Sequence, residues 1–177
     1  YHIQPLSLGK FGEDLHPFPA FTASVCNLRP ESRGHVRITS AHPGAAPEIQ
    51  LNYLSTDKDR RVAADSIRLT RKIVLETEAM KPYQPEEFVP GLSAQTEEEL
   101  VKAAGNIGTT IFHPVSTCKM GSDADAVVDD RLNVHGLERL RIADASIMPA
   151  ITSGNTNSPT LMIAEKAAAM IQEDAKV

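Results

Sequence analysis

The chain has 177 residues, 41% hydrophobic and 23% charged, which is the make-up of a globular protein with a buried core. Its net charge of -5 supplies no basic field to gather nucleic acid or anionic lipid, so neither is expected as a partner. No apolar stretch approaches the roughly 18 residues of a spanning helix, and the two cysteines, Cys26 and Cys118, form no Cys-x-x-Cys set. A soluble cytoplasmic protein is expected, without membrane insertion, disulfide framework or structural metal. The opening Tyr1-His2-Ile3-Gln4-Pro5 lacks an initiator methionine and reads as a piece cut from something longer.

Residues 1–20 carry Pro5, Gly9, Gly12, Pro17 and Pro19, a density of breakers that predicts a loop. Residues 21–28 favour a strand. Val36 and Ile38 alternate with Arg37 and Thr39 over 34–40, so the two stretches are expected to pair as a hairpin across the polar run 29–33. Residues 48–53, after the Pro43-Gly44 turn, predict an edge strand. Thr56 and Asp59 stand at capping-box spacing and predict a helix start. Val62, Ser66, Leu69 and Ile73 then share one stripe, widened by Ile67 and Val74, and Arg60, Arg61, Arg68, Arg71 and Lys72 read as a mainly solvated face. Thr96 and Glu99 repeat the capping signature before a shorter helix, expected to reach about Asn106. Residues 140–143 are a short strand candidate. Ser158 as cap and Pro159 at the first helical position predict a final helix with Leu161, Ala164, Ala168 and Ile171 buried.

Three stretches concentrate chemistry. Residues 109–121 hold His113 directly before Pro114, which forces an extended backbone and lets the imidazole be presented from a rigid segment, as a base requires. A histidine that merely satisfies hydrogen bonds is the plainer reading. Residues 151–159 place Asn155 and Asn157 at a helix start, where open amides and the helix dipole suit a negative or carbonyl-bearing group. A well-capped helix preceded by an ordinary polar loop is the plainer reading of the spacing. Asp144 follows a strand candidate, a position that either meets ligands or closes a turn. Cys118 reads as a core thiol, and the remaining histidines show no ligand spacing.

Taken together, these segments resemble the C-terminal region of the glucose-methanol-choline family of flavin oxidoreductases, particularly its choline dehydrogenase-like members. The matching residues, in order, include Leu28-Arg29-Pro30-Glu31-Ser32-Arg33-Gly34, His113-Pro114-Val115-Ser116-Thr117-Cys118-Lys119-Met120-Gly121, Leu140-Arg141-Ile142-Ala143-Asp144-Ala145-Ser146 and Ser153-Gly154-Asn155-Thr156-Asn157-Ser158-Pro159-Thr160. Ser116 stands where the family commonly has glycine, and Glu31 where it commonly has lysine.

The resemblance implies an α+β fold: an antiparallel sheet with helices on one face, plus a C-terminal strand and helix belonging to an absent FAD domain. It implies the main part of a substrate-binding domain over 1–108, an active-site segment over 109–138, and a strand-loop-helix over 139–177 that completes the FAD site. By the same comparison His113 matches the family's active-site histidine, acting as base, and Asn155 matches its partner. Asp144 and Ala145, with the backbone around Asn157, Pro159 and Thr160, would touch the FAD. The implied activity is oxidation of a small alcohol by hydride transfer to the flavin, with the acceptor left between oxygen and a favoured quinone-like carrier. No Gly-x-Gly-x-x-Gly occurs in the chain, so most of the FAD site is expected in an N-terminal domain of the same protein, and the fragment alone is expected to be inactive. Self-association through exposed C-terminal elements is a further expectation. The alternative reading is a non-catalytic module that binds a small molecule or a protein.

Overall fold

A computed structural model describes residues 1–10 and 12–176; position 11 of the lead-in expected to be loop, and position 177, lie outside the described residues. The fold is α+β, and the chain divides into two compact units, Tyr1–Ser32 with Tyr53–Gly108, and Arg33–Asn52 with Thr109–Val177.

In the first unit, β1 (His2–Gln4) runs antiparallel to β2 (Thr22–Ser24), with His2 opposite Ser24 and Gln4 opposite Thr22. The partner of the 21–28 stretch is therefore the lead-in expected to be loop, and not the 34–40 stretch. The reason lies in 29–33. The amides of Glu31 and Ser32 do not close a hairpin turn but point at a carboxylate of the helix that follows.

That helix, α1 (Asp57–Glu76), starts where the Thr56 signature placed it, with Thr56 Oγ1 accepting from the Asp59 amide at 3.2 Å. The Asp59 carboxylate also reaches beyond the cap. It accepts from Asn27 Nδ2 at 3.0 Å, from the amides of Glu31 and Ser32 at 3.0 and 2.7 Å, and from Ser32 Oγ at 2.5 Å. Burial disfavours the charge, yet the Ser32 hydroxyl and the converging amides outweigh it and hold the Asp59 carboxyl below its ordinary range. One buried anion thus fastens the loop to the helix.

The second helix, α2 (Glu97–Ile107), opens on a complete capping box: Thr96 Oγ1 accepts from the Glu99 amide, and Glu99 Oε2 accepts from the Thr96 amide at 2.9 Å. It packs on α1, and Ala64 and Leu100 are wholly buried. Arg71 departs from the expected solvated face. Its guanidinium grips Glu87 through two bonds of 2.8 and 2.9 Å and donates to the carbonyls of Ala94 and Gly91, with only 13% of its side chain exposed. Long aliphatic stems let arginines on a polar stripe fold back onto neighbouring loops, which periodicity does not reveal. Leu69 and Ile73 of the expected stripe stay exposed, and Ile73 lines an open apolar groove with Ile3, Phe21 and Tyr83.

In the second unit, β3 (His35–Arg37) pairs antiparallel with β4 (Glu48–Gln50), Val36 opposite Ile49. Gly34 is required beside it, since a Cβ there would lie 2.0 Å from the Gln50 carbonyl oxygen. The core of this unit is Val128, Leu132, Ile147, Met148, Ile163 and Ala167. The stretch 140–143 contributes a single bridge, Arg141 with Asn133. The last helix, α3 (Asn157–Asp174), buries Ile163 and Ala167, with Met170 packed beside them, whereas all four residues of the expected stripe, Leu161, Ala164, Ala168 and Ile171, are exposed. Apolar residues run almost all round this helix, so its sequence could not choose the buried face. Its acidic C-terminal end opposes the helix dipole, and Arg131 and Arg141 offset this by pairing with Asp174. Among the described residues no helix is long and apolar enough to cross a membrane.

Candidate active site

His113 sits between two strained backbone positions, Phe112 at φ 63° and Ser116 at φ 73°. The left-handed region disfavours side chains by roughly 1–2 kcal/mol, which explains the glycine common in the resembling pattern at Ser116. Serine meets part of that cost with a bond from its Oγ to the Met148 carbonyl at 2.7 Å. The amides of Cys118 and Met120 donate to the carbonyls of Ser146 and Ile147 at 3.1 and 2.8 Å. Three bonds therefore lace the segment after His113 to the turn at 144–148, while Val115 packs on the core beneath.

Asp144 is exposed and closes that turn. Its Oδ1 accepts from the Ser146 amide at 2.7 Å, capping the short 3-10 helix Ala145–Ile147. Ala145 is half-buried against the core.

The His113 ring is half-buried and its Nδ1 lies 2.9 Å from Thr156 Oγ1, 43 positions along the chain. Thr156 is only 7% exposed, whereas Asn155 and Asn157 on either side of it are exposed. The structure thus brings His113 to the residue adjoining Asn155, at the start of α3. Gly154 leaves open space, with no atom within 4 Å of where a Cβ would stand.

The start of α3 differs from expectation. Thr156, and not Ser158, is the N-cap, so Pro159 is the third helical residue and not the first. Thr160 bonds back to the Thr156 carbonyl through its amide at 3.0 Å and its hydroxyl at 2.6 Å. The first turn holds no acidic residue, and Asn157 and Ser158 are exposed there. Amides and a positive dipole end without a built-in anion suit a ligand with negative charge or carbonyls. Sequence reasoning passed over Thr156 and Phe112. The signal for Thr156 was present: a threonine followed at the third position by proline has no amide there to cap.

A family model described as GMC oxidoreductase matches residues 30–164, and the chain belongs to that family. Over 170 residues it is 46% identical to the oxygen-dependent choline dehydrogenase 1 of Chromohalobacter salexigens, covering 95% of this chain and 30% of that protein. Over 172 residues it is 45% identical to an oxygen-dependent choline dehydrogenase of Escherichia coli, covering 97% of this chain and 31% of that protein. Among solved structures, pyridoxine 4-oxidase from Mesorbium loti superimposes with a TM-score of 0.76 at 34% identity, over 82% of this chain and 28% of that one. An Aspergillus oryzae formate oxidase, in a structure concerned with modification of its FAD, superimposes with a TM-score of 0.77 at 32% identity, over 84% and 26%. The chain spans about 30% of the length of the curated relatives it matches.

Proposed function

We propose that the enzyme carrying this chain oxidises the CH–OH group of a small choline-like alcohol with FAD, and that this chain supplies the base and the substrate-oxygen donor. The observation that carries the reading is the anchoring of His113 through Nδ1 to Thr156, the residue that follows an exposed Asn155, which leaves Nε2 as the other functional nitrogen of the ring.

Alcohol oxidation requires removal of the hydroxyl proton as hydride leaves the same carbon. His113 Nε2 takes that proton. The Asn155 carboxamide donates to the alcohol oxygen, and its fixed dipole favours the developing alkoxide without adding a net charge. The uncapped first turn of α3 and the open space at Gly154 fit a flavin, and Asp144, Ala145, Asn157, Pro159 and Thr160 are the residues that would hold it. Bound FAD supplies the hydride acceptor. The remainder of the FAD site is assigned to an N-terminal domain of the whole enzyme, which fits the absence of Gly-x-Gly-x-x-Gly from this sequence. Two unpaired cysteines accord with a reducing, cytoplasmic setting.

The test is anaerobic stopped-flow reduction of the complete enzyme with choline. His113→Ala is expected to slow flavin reduction about a hundredfold or more. An unchanged rate would remove His113 from the mechanism.

A further inference from the structure

An N-cap hydroxyl ordinarily accepts from the amide of the second or third helical residue. Thr56 and Thr96 do so, each from the third residue, Asp59 and Glu99. Thr156 does not: its side chain makes no cap bond, and the third residue of α3 is Pro159, which has no amide. Its backbone is helical, at φ -88° and ψ -4°, where the other two threonines are extended. A buried hydroxyl without a partner is costly. The partner it finds is Nδ1 of His113.

We propose that Thr156 is a positioning residue for His113: its Oγ1 accepts a hydrogen bond from Nδ1–H, fixes the ring, and leaves the lone pair on Nε2 to receive the alcohol proton. This rests on the reading of His113 as base. A neutral imidazole carries one proton on its two nitrogens, and the hydrogen bond at one nitrogen decides which holds it. A threonine hydroxyl could donate or accept, but only the accepting arrangement makes Nε2 basic. After the proton arrives both ring nitrogens are donors, so Thr156 Oγ1 keeps the same bond throughout the step and nothing around the ring needs to reverse. Pro159 supports this by denying the hydroxyl its usual partner in the helix.

The experiment compares Thr156→Val, which removes the hydroxyl with little change of shape, and Thr156→Ser, which keeps it, in the complete flavin-loaded enzyme with choline. Thr156→Val is expected to lower the limiting rate of flavin reduction about tenfold with little change in choline affinity, and Thr156→Ser to restore it to within about twofold. In parallel, long-range proton–nitrogen spectra of histidine-labelled wild-type enzyme are expected to show His113 protonated on Nδ1. A wild-type ring protonated on Nε2, a Thr156→Val rate equal to wild type, or a Thr156→Ser rate as low as Thr156→Val would each overturn the proposal. The wild-type spectrum decides it even where a variant fails to fold. His113→Ala separates the two claims: no effect there sinks the base itself, whereas a large effect beside a silent Thr156→Val sinks only the role of Thr156.

Discussion

The starts of α1 and α3 carry the same residue type in the same position, and the two threonines do different work. At α1 the Thr56 hydroxyl closes the first turn on the Asp59 amide, while the Asp59 carboxylate holds the loop through Asn27, Glu31 and Ser32. At α3 the Thr156 hydroxyl leaves the helix and meets a histidine. The residue three positions on separates them: aspartate offers an amide and an anion, and proline offers neither. One helix start satisfies the amide of its third residue with its own cap. The other leaves its first turn open, which is what a binding site at a helix N-terminus requires.

Three changes would break or sharpen that contrast. The largest stability effect is expected at Asp59: Asp59→Asn removes the charge that several donors share, and urea unfolding should show a loss of about 2–3 kcal/mol. The same group sets an acid limb. Its carboxyl is depressed in the folded chain, so its contribution is complete above the unfolded value of about 3.9 and is lost as pH falls through the lower folded value. Asp59→Asn should lack that part of the acid-induced loss; an identical acid profile in the variant would deny Asp59 this role.

Thr56→Ala should cost about 1 kcal/mol, seen as faster hydrogen exchange in the first turn of α1, with flavin reduction in the complete enzyme unaffected. A slowed reduction would mean that the two helix starts are not separate in function. The smallest effect is expected from Pro159→Ala, which gives α3 an amide at its third position. The Thr156 hydroxyl then has a competing partner, and flavin reduction should fall by about twofold while the helix grows slightly more stable. A faster reduction would show that proline hinders the His113 contact.

Much of the fold was legible from local chemistry. The starts of α1 and α2 fell where Thr56 and Thr96 stand, because capping is decided within four residues. The pairing of 34–40 with 48–53 was hidden by the nearer partner at 21–28, because a two-residue alternation says which face a strand buries and not which strand lies beside it. Arg71 was hidden for a related reason: its charge spoke for solvent, while the acceptors at Glu87, Gly91 and Ala94 converge only after the loop has folded back. For the site, His113 before Pro114 and the asparagines before α3 stood out as residue types in restrictive backbone settings. Their approach through Thr156 spans 43 positions and could not be read from spacing.

By itself the sequence determined which segments are helical, that the chain is acidic and without a long apolar span, and, through its ordered motifs, the family. Those properties depend on neighbouring residues and on composition, which are present before folding. Tertiary structure alone decided which face of α3 is buried, which strands pair, and which hydroxyl reaches the imidazole. Each of those is a choice among several locally equivalent partners, and only close packing of a specific core, with every buried polar group satisfied, selects one of them.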